Sequence, residues 1–165
     1  MRYVIPHMTT PIYILQGVSG SGKSHIAKKL ADEQDICSAD DFFMRDGKYQ
    51  FNLAKLGEAH GACLRKYVSL LLVNAQKGRP IVVDNTNTTV EELGRYYALA
   101  EAYGYKPIII TVECDPAIAA ERNTHGVSLE TCVAMAARIA VTNGSLPPWW
   151  RRVSSEDEAK ALLEK

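Results

Sequence analysis

Three features are missing from this 165-residue sequence: a long apolar run, an excess of one charge and a cluster of cysteines. No stretch approaches the roughly 20 apolar residues of a membrane-spanning helix, and the first residues lack the pattern of a signal peptide. We therefore expect no membrane segment. The 19 basic and 19 acidic side chains cancel, so no overall field attracts a polyanion. Any site for a polyanion has to be a local patch.

The cysteines are too dispersed to indicate a metal site or a disulfide framework. Without C-x-x-C spacing, their pattern favours reduced, mostly buried thiols in a cytoplasmic protein. They are Cys37, Cys63, Cys114 and Cys132. With 47% hydrophobic residues, no internal repeat and no linker, the chain is long enough to bury a core. We expect one domain over residues 1–165, with residues 1–10 as an N-terminal extension.

The clearest signal of chemistry follows the first apolar run. This run starts at Ile12, and Gly17-x-x-x-x-Gly22-Lys23-Ser24 comes directly after it, which is the phosphate-binding loop in its strand–loop–helix context. Glycines let backbone N–H groups surround an anion. Lys23 adds a charge for the β- and γ-phosphates, and Ser24 offers a hydroxyl to Mg²⁺. The pattern predicts a site for a nucleoside triphosphate and Mg²⁺. The residues assigned to the phosphates are Gly17, Ser19, Gly20, Ser21, Gly22, Lys23, Ser24 and His25.

Hydrophobic periodicity outlines alternating strands and helices along the chain. We expect strands over residues 12–16, 35–39, 81–84 and 107–112, and a short strand or edge segment over 149–153. We expect helices over 23–33, 53–76, 90–104 and 116–122, another ending near residue 142, and a polar helix in the last ten residues. Residues 42–52 read as a loop with a turn at Asp46-Gly47. The alternation predicts an α/β class with a mostly parallel sheet and helices on both faces. Together with the phosphate-binding loop, it indicates a three-layer P-loop NTPase/kinase fold.

Polar residues collect at the carboxyl ends of these strands, where open α/β sheets bind ligands. Asp84 closes one strand, and a carboxylate there can order Mg²⁺; a solvated strand end or a helix cap is the alternative. Transfer of a phosphoryl group to a hydroxyl also gains from a base. Asp40, at the tip of the second strand, is our preferred base, with the adjacent Asp41 as its rival.

Arginines are the expected partners for charge on a transferring phosphoryl group. Arg122 ends a helix just before a glycine-containing break, which predicts a lid over about residues 122–128. Arg138, on the next helix, is the second candidate. His125 could contact phosphate or substrate, or could cap a helix.

Three other side chains have two interpretations each. His60 lies on the apolar stripe of its helix, which favours a core histidine. Trp149 and Trp150, beside two arginines, could stack on a base or cover the core as an amphipathic end segment. The covering role is favoured.

Four stretches, residues 17–24, 38–43, 82–87 and 121–127, together resemble the polynucleotide-kinase-like branch of P-loop kinases. The likeness covers about residues 11–150. It implies a sheet order of 2-3-1-4, ATP as the nucleotide, Asp40 as the base and Arg122 in the lid. It also implies a hydroxyl on a nucleic acid as the acceptor.

Two departures from phage 5′-end kinases refine this expectation. Phe43 stands where those kinases carry an arginine, although Arg45 is close, and the lid has Thr124-His125-Gly126 in place of a second arginine. Apolar faces at Phe42 and Phe43 suit a base, and the sequence is similar to phage kinases that phosphorylate 5-hydroxymethyluridine in DNA. That likeness implies DNA hypermodification in a host cytoplasm, on an extruded or single-stranded base. The residues assigned to the acceptor are Asp41, Phe42, Phe43, Arg45, Asn85, Thr86, Asn87 and His125.

Three rival functions stay open from the sequence. They are a polynucleotide 5′-hydroxyl kinase, a kinase for a nucleoside or another small molecule, and a nucleotide-binding module without phosphotransfer. No obligatory protein partner is evident from the sequence.

Overall fold

A five-stranded parallel sheet is the centre of the computed structural model, which describes residues 10–75 and 77–163. The strands are β1 (Ile12–Gln16), β2 (Ile36–Cys37), β3 (Met44–Arg45), β4 (Lys48–Tyr49), β5 (Ile81–Asp84), β6 (Ile108–Thr111) and β7 (Arg152–Val153). In the main sheet they follow the order β2-β5-β1-β6-β7, and every neighbouring pair is parallel. Counted within this sheet, the first four strands have the expected order 2-3-1-4, which is confirmed.

Helices cover both faces of the sheet. They are α1 (Lys23–Leu30), α2 (Leu56–Asn74), α3 (Val90–Ala102), α4 (Pro116–Arg122), α5 (Leu129–Ser145) and α6 (Glu156–Leu163). Successive residues of β1 point to opposite faces. Ile12 and Ile14 join a core with α2 and α3, whereas Tyr13 and Leu15 join a core with α1 and α6. The predicted three-layer α/β class is therefore confirmed.

The strand register brings the expected ligand-binding residues to one edge of the sheet. Leu15 of β1 pairs with Asp84 of β5, and Gln16 pairs with Thr111 of β6. The loop after β1 and the end of β5 consequently lie side by side at the carboxyl edge.

Several helices and strands are shorter in the structure than the sequence predicts. The first helix ends at Leu30, and residues 33–35 form a separate 3₁₀ turn. β2 stops at Cys37 because Ser38 caps a 3₁₀ helix over Ala39–Phe43, its hydroxyl accepting the N–H of Asp40 at 3.2 Å. Asn52 caps another 3₁₀ turn, so α2 begins only at Leu56. The predicted end of that helix, near Gln76, lies outside the described residues.

Residues 42–52, expected to be a loop, contain a β-hairpin. β3 and β4 are antiparallel, and the two-residue turn between them is Asp46-Gly47. Both turn residues have positive φ, 50° and 74°, which is the requirement of a tight hairpin turn of the type that matches strand twist. The turn signal was correct, but two-residue strands are too short for a periodicity to show.

The tryptophans separate into two environments. Trp150 stacks on Tyr97 with ring centroids 4.5 Å apart and packs against the core, so it covers the core as favoured. Trp149 is 70% exposed. His60 is half-buried on α2. Among the described residues, no helix is both long and apolar enough to cross a bilayer.

Candidate active site

The phosphate-binding loop has the backbone that an anion cradle needs. Gly20 and Gly22 have φ of 85° and 100°, a left-handed conformation that glycine adopts without strain. A Cβ on Gly20 would also collide with the carbonyl oxygen of Ala119. The Gly17 N–H donates to the Thr86 carbonyl at 3.0 Å, which ties the loop to the residues after β5. The phosphate-binding loop therefore opens towards the carboxyl edge of the sheet, and its hydrogen bond to Thr86 holds it in place.

Lys23 lies at the base of this cradle, at the start of α1. It is buried, and its Nζ donates to the Val18 carbonyl at 2.8 Å. Burial lowers the pKa of the Lys23 ammonium, and the nearby carboxylates of Asp84 and Asp40 oppose that shift. Because the ammonium is shielded from water, it interacts more strongly with an incoming anion than an exposed lysine would.

Ser24 and Asp84 form the candidate magnesium site. The Ser24 hydroxyl hydrogen-bonds the Asp84 carboxyl, whose pKa is raised by burial, partly offset by that hydrogen bond and by Lys23. Within residues 10–75 and 77–163 there is no cluster of three or more His, Cys, Asp or Glu side chains that could hold a metal. One carboxylate and one hydroxyl fit Mg²⁺, which retains waters and takes further ligands from phosphates.

A cavity of about 290 Å³ opens in front of the loop. It is lined by Ser19, Gly20, Gly22, Lys23, Ser24, His25, Asp40, Asp84, Asn85, Thr86, Arg122, Asn123, Thr124 and His125. Gly17 and Ser21, also assigned to phosphate, are buried behind it. We call this space the phosphate cavity because the phosphate-binding loop and Arg122 both line it.

The segment between α4 and α5 is held in shape by Asn123. Its Oδ1 accepts the Val127 N–H at 2.8 Å, while its Nδ2 donates to the carbonyls of Ala120 and Val127 at 2.7 and 2.9 Å. This clamp presents Thr124 and His125 to the phosphate cavity. Arg138 points elsewhere: its Nε donates to Thr88 Oγ1 at 3.3 Å, outside the residues that line the cavity.

A second cavity of about 840 Å³ adjoins the first and is named here the acceptor cavity. Four residues line both cavities: Ser24, Asp40, Asp84 and His125. The other residues of the acceptor cavity are Ala27, Lys28, Asp32, Glu33, Gln34, Ile36, Ser38, Asp41, Met44, Tyr49 and Lys66. Its carboxylates outnumber its lysines, so an uncharged group enters it more easily than an anion.

Asp40 occupies the boundary between the two cavities. Its Oδ1 accepts the Tyr49 hydroxyl at 2.9 Å, and its Oδ2 is 3.6 Å from His125 Nε2. Asp41 instead pairs with Lys66 at 3.6 Å, and it lines the acceptor cavity but not the phosphate cavity. Of the two rival bases, Asp40 is the one next to the phosphate cavity.

The structure corrects part of the predicted acceptor set. Phe43 is 3% exposed and belongs to the core, and Phe42 packs edge-on against it. Neither ring lines the phosphate cavity or the acceptor cavity. Arg45 is exposed on the hairpin, away from both cavities. Asn87 is buried at φ 47°, and its Nδ2 donates to the Leu15 carbonyl at 2.7 Å. Its side chain therefore ties the segment after β5 to β1.

The remaining members of that set lie at the phosphate cavity or the acceptor cavity. Asn85 lines the phosphate cavity but is largely buried, and its Oδ1 accepts the Ala39 N–H at 2.9 Å. Thr86 and His125 line the same cavity, and Asp41 lines the acceptor cavity. Sequence reasoning missed Tyr49, Lys66 and Asn123. Among these, only Asn123, directly after Arg122, stood beside a predicted site residue.

Buried charge at this site predicts an unusual response of stability to substitution. Because burial raises the pKa of Asp84, its ionised form opposes folding. Asp84→Asn should therefore raise the free energy of unfolding at pH 7 by about 1 kcal/mol, or about 2–4 °C in Tm, while impairing function. The gain should shrink as the pH falls towards the ordinary pKa of aspartate and disappear below about pH 3, where the carboxyl is neutral in both states. Thermal melts across pH, with exposed Asp157→Asn as the control, measure it; a lower Tm at pH 7 would mean that attraction to Lys23 outweighs burial.

A family model and a curated relative both match this chain. A family model described as an AAA domain (AAA_33) matches residues 12–125. Human NEDD4-binding protein 2 is 35% identical over 131 residues, 75% of this chain, and the chain spans only 7% of that protein's length.

Solved structures share the fold at low identity. One chain of the Pnkp1/Rnl/Hen1 RNA repair complex superposes with a TM-score of 0.67 at 15% identity, over 89% of this chain and 49% of that one. A sugar kinase from a Janibacter species superposes with a TM-score of 0.56 at 18% identity, over 94% and 91%. From the phosphate-binding loop, the sheet order and the family match, the chain belongs to the AAA_33 family, and its domain is a kinase-like P-loop domain.

Proposed function

We propose that this protein is a Mg²⁺-dependent kinase that transfers the γ-phosphoryl group of ATP to an alcohol bound in the acceptor cavity. The observation that carries this proposal is the place of Asp40, a carboxylate that lines both cavities where they meet. A general base has to reach the acceptor hydroxyl while that hydroxyl faces the phosphate. Asp40 satisfies both conditions.

The transfer needs few groups, and the chain offers each of them. Asp40 takes the proton of the acceptor hydroxyl as the oxygen forms a bond to the γ-phosphorus. The bond from that phosphorus to the β,γ-bridging oxygen breaks, and ADP leaves with the electron pair. Lys23 and Arg122, which both line the phosphate cavity, neutralise charge on the phosphates. A Mg²⁺ held by Ser24 and Asp84 would add charge neutralisation there, and residues 122–128 would act as the lid.

The charge of the acceptor cavity indicates the chemistry of the acceptor. Its five carboxylates are those of Asp32, Glu33, Asp40, Asp41 and Asp84, against two ammonium groups, Lys28 and Lys66. This balance disfavours an acceptor whose own phosphate enters the cavity and favours a neutral hydroxyl-bearing group. A hydroxymethylated base extruded from DNA is such a group. We propose 5-hydroxymethyluridine in DNA as the acceptor, in a cytoplasmic reaction, with the Tyr49 ring as the apolar wall instead of Phe42 and Phe43.

A kinase for a free small molecule is the second candidate. The same excess of carboxylates suits a neutral polyol or nucleoside, and a volume of about 840 Å³ is ample for one. The two candidates differ in whether the acceptor must be part of a strand.

One transfer assay separates the candidates. ATP labelled at the γ-phosphate is incubated with an oligonucleotide containing internal 5-hydroxymethyluridine, its thymine-containing match with a free 5′-hydroxyl, and the free 5-hydroxymethyluridine nucleoside. We expect label on the modified oligonucleotide at the internal base. Label on both oligonucleotides at their 5′ ends would identify a 5′-hydroxyl kinase, and label on the nucleoside alone a small-molecule kinase. ATP binding with no transfer to any alcohol would contradict the kinase proposal.

A further inference from the structure

Tyr49 connects three parts of the candidate site. It lies at the end of β4, where its ring centroid is 6.1 Å from that of Phe43 and 4.1 Å from that of His125. Its hydroxyl donates to Asp40 Oδ1 at 2.9 Å. The β3–β4 hairpin, the candidate lid and the candidate base therefore meet at one side chain.

The Tyr49 hydroxyl remains protonated, and so remains a hydrogen-bond donor, at neutral pH. Burial raises the pKa of Tyr49, and its hydrogen bond to Asp40 raises it further. The phenol consequently keeps its proton throughout the neutral range and points it at the carboxylate. Asp40 itself is 52% exposed, and a solvated carboxylate without such a donor samples several rotamers.

We infer that Tyr49 is a positioning residue, which holds the Asp40 carboxylate at the boundary of the two cavities so that one oxygen faces the acceptor. The inference rests on the proposed role of Asp40 as the base. The hydroxyl acts through Asp40, whereas the ring forms one wall of the acceptor cavity. These two contributions can be separated because phenylalanine retains the ring and lacks the hydroxyl.

The hairpin explains why this tyrosine can act as a fixed donor. Met44 pairs with Tyr49 across the hairpin, and the Gln50 N–H donates to the Phe43 carbonyl at 2.9 Å. The Tyr49 and Phe51 rings are nearly parallel, with their centroids 6.5 Å apart. Backbone pairing and ring packing thus fix Tyr49 independently of its contact with Asp40.

The test compares Tyr49→Phe with the wild type in steady-state phosphotransfer. We expect kcat to fall by about 10- to 100-fold, as for the loss of one hydrogen bond to a charged group, with an unchanged KM for ATP. In the Asp40→Asn background the same substitution should cause no further loss, because the two groups act as one unit. Tyr103→Phe, at the far end of α3, is the matched control and should behave as the wild type.

Two kinetic results would overturn the inference. One is a Tyr49→Phe variant with the kcat of the wild type; the other is an equal loss in the Asp40→Asn background, which would assign Tyr49 a role apart from Asp40. Crystal structures of the wild type and of Tyr49→Phe show the Asp40 rotamer directly. An Asp40 carboxylate in the same position in both would also reject the inference. A wild type that phosphorylates no alcohol would refute the proposed function instead. The Asp40 rotamers in the two crystal structures would then still show whether the Tyr49 hydroxyl holds the carboxylate in place.

Discussion

Replacing Lys23 by alanine is expected to abolish ATP-dependent turnover and to weaken ATP binding while the fold is retained. The ammonium is buried at the base of the loop, where its Nζ donates to the Val18 carbonyl, and Lys23 lines the phosphate cavity, so its charge is available to phosphates. Losing a charge-assisted contact of this kind should weaken ATP binding by about 10- to 100-fold. Because the same charge stabilises the transition state, kcat should fall by a further 10²–10³-fold or so.

The fold should survive because Lys23 contributes charge rather than packing. Burial lowers the pKa of its ammonium, so removing the charge relieves a cost of folding. Calorimetric titration with Mg²⁺ and ATP measures binding, and far-UV circular dichroism measures the fold. The matched control is Lys106→Ala, an exposed lysine just before β6, at the opposite edge of the sheet. Unchanged ATP affinity in Lys23→Ala would reject the phosphate-cradle assignment.

Replacing Asp40 by asparagine should lower kcat by about 10²–10⁴-fold, the usual contribution of a general base. The amide keeps the size of the side chain but cannot accept the acceptor's proton. ATP affinity should be retained or improved, because a negative charge that lines the phosphate cavity is removed. Transfer rates at saturating ATP and acceptor, together with a separate ATP titration, measure the two effects.

Asp41→Asn is the informative comparison for the same assay. Asp41 pairs with Lys66 and lines only the acceptor cavity, so its substitution should act on the KM for the acceptor more than on kcat. If Asp41→Asn lost as much kcat as expected for Asp40→Asn, and Asp40→Asn did not, the two roles would have to be exchanged. Unchanged turnover in Asp40→Asn would refute its assignment as the base.

The parts of the fold that were predictable are those where local chemistry and global topology agree. The apolar run of β1 and the glycine pattern after it predict a strand, a phosphate loop and a helix start within a single stretch. Parallel strands then bring their carboxyl ends together, so the sequence predicts Asp40 and Asp84 near the loop, and the glycine-containing break after Arg122 predicts that arginine in a lid. The structure indeed brings them to the same cavity.

What escaped prediction depends on packing between distant segments. The sequence assigns Phe43 to a base because it stands where similar kinases carry an arginine, but the 3₁₀ helix after Ser38 turns its ring into the core. Asn87 looked like a strand-tip ligand, yet its amide satisfies a carbonyl of β1. Tyr49 showed no signal, because only the two-residue strands of a hairpin carry it to Asp40. Such short elements leave no periodicity in a sequence.

The most direct test of the central claim is a crystal structure with Mg²⁺ and a non-hydrolysable ATP analogue. The account predicts the terminal phosphate against Lys23, the metal on Ser24 and Asp84, and the Asp40 carboxylate facing that phosphate across a space large enough for a hydroxyl. A nucleotide bound elsewhere, or bound with its terminal phosphate out of reach of Asp40, would contradict it.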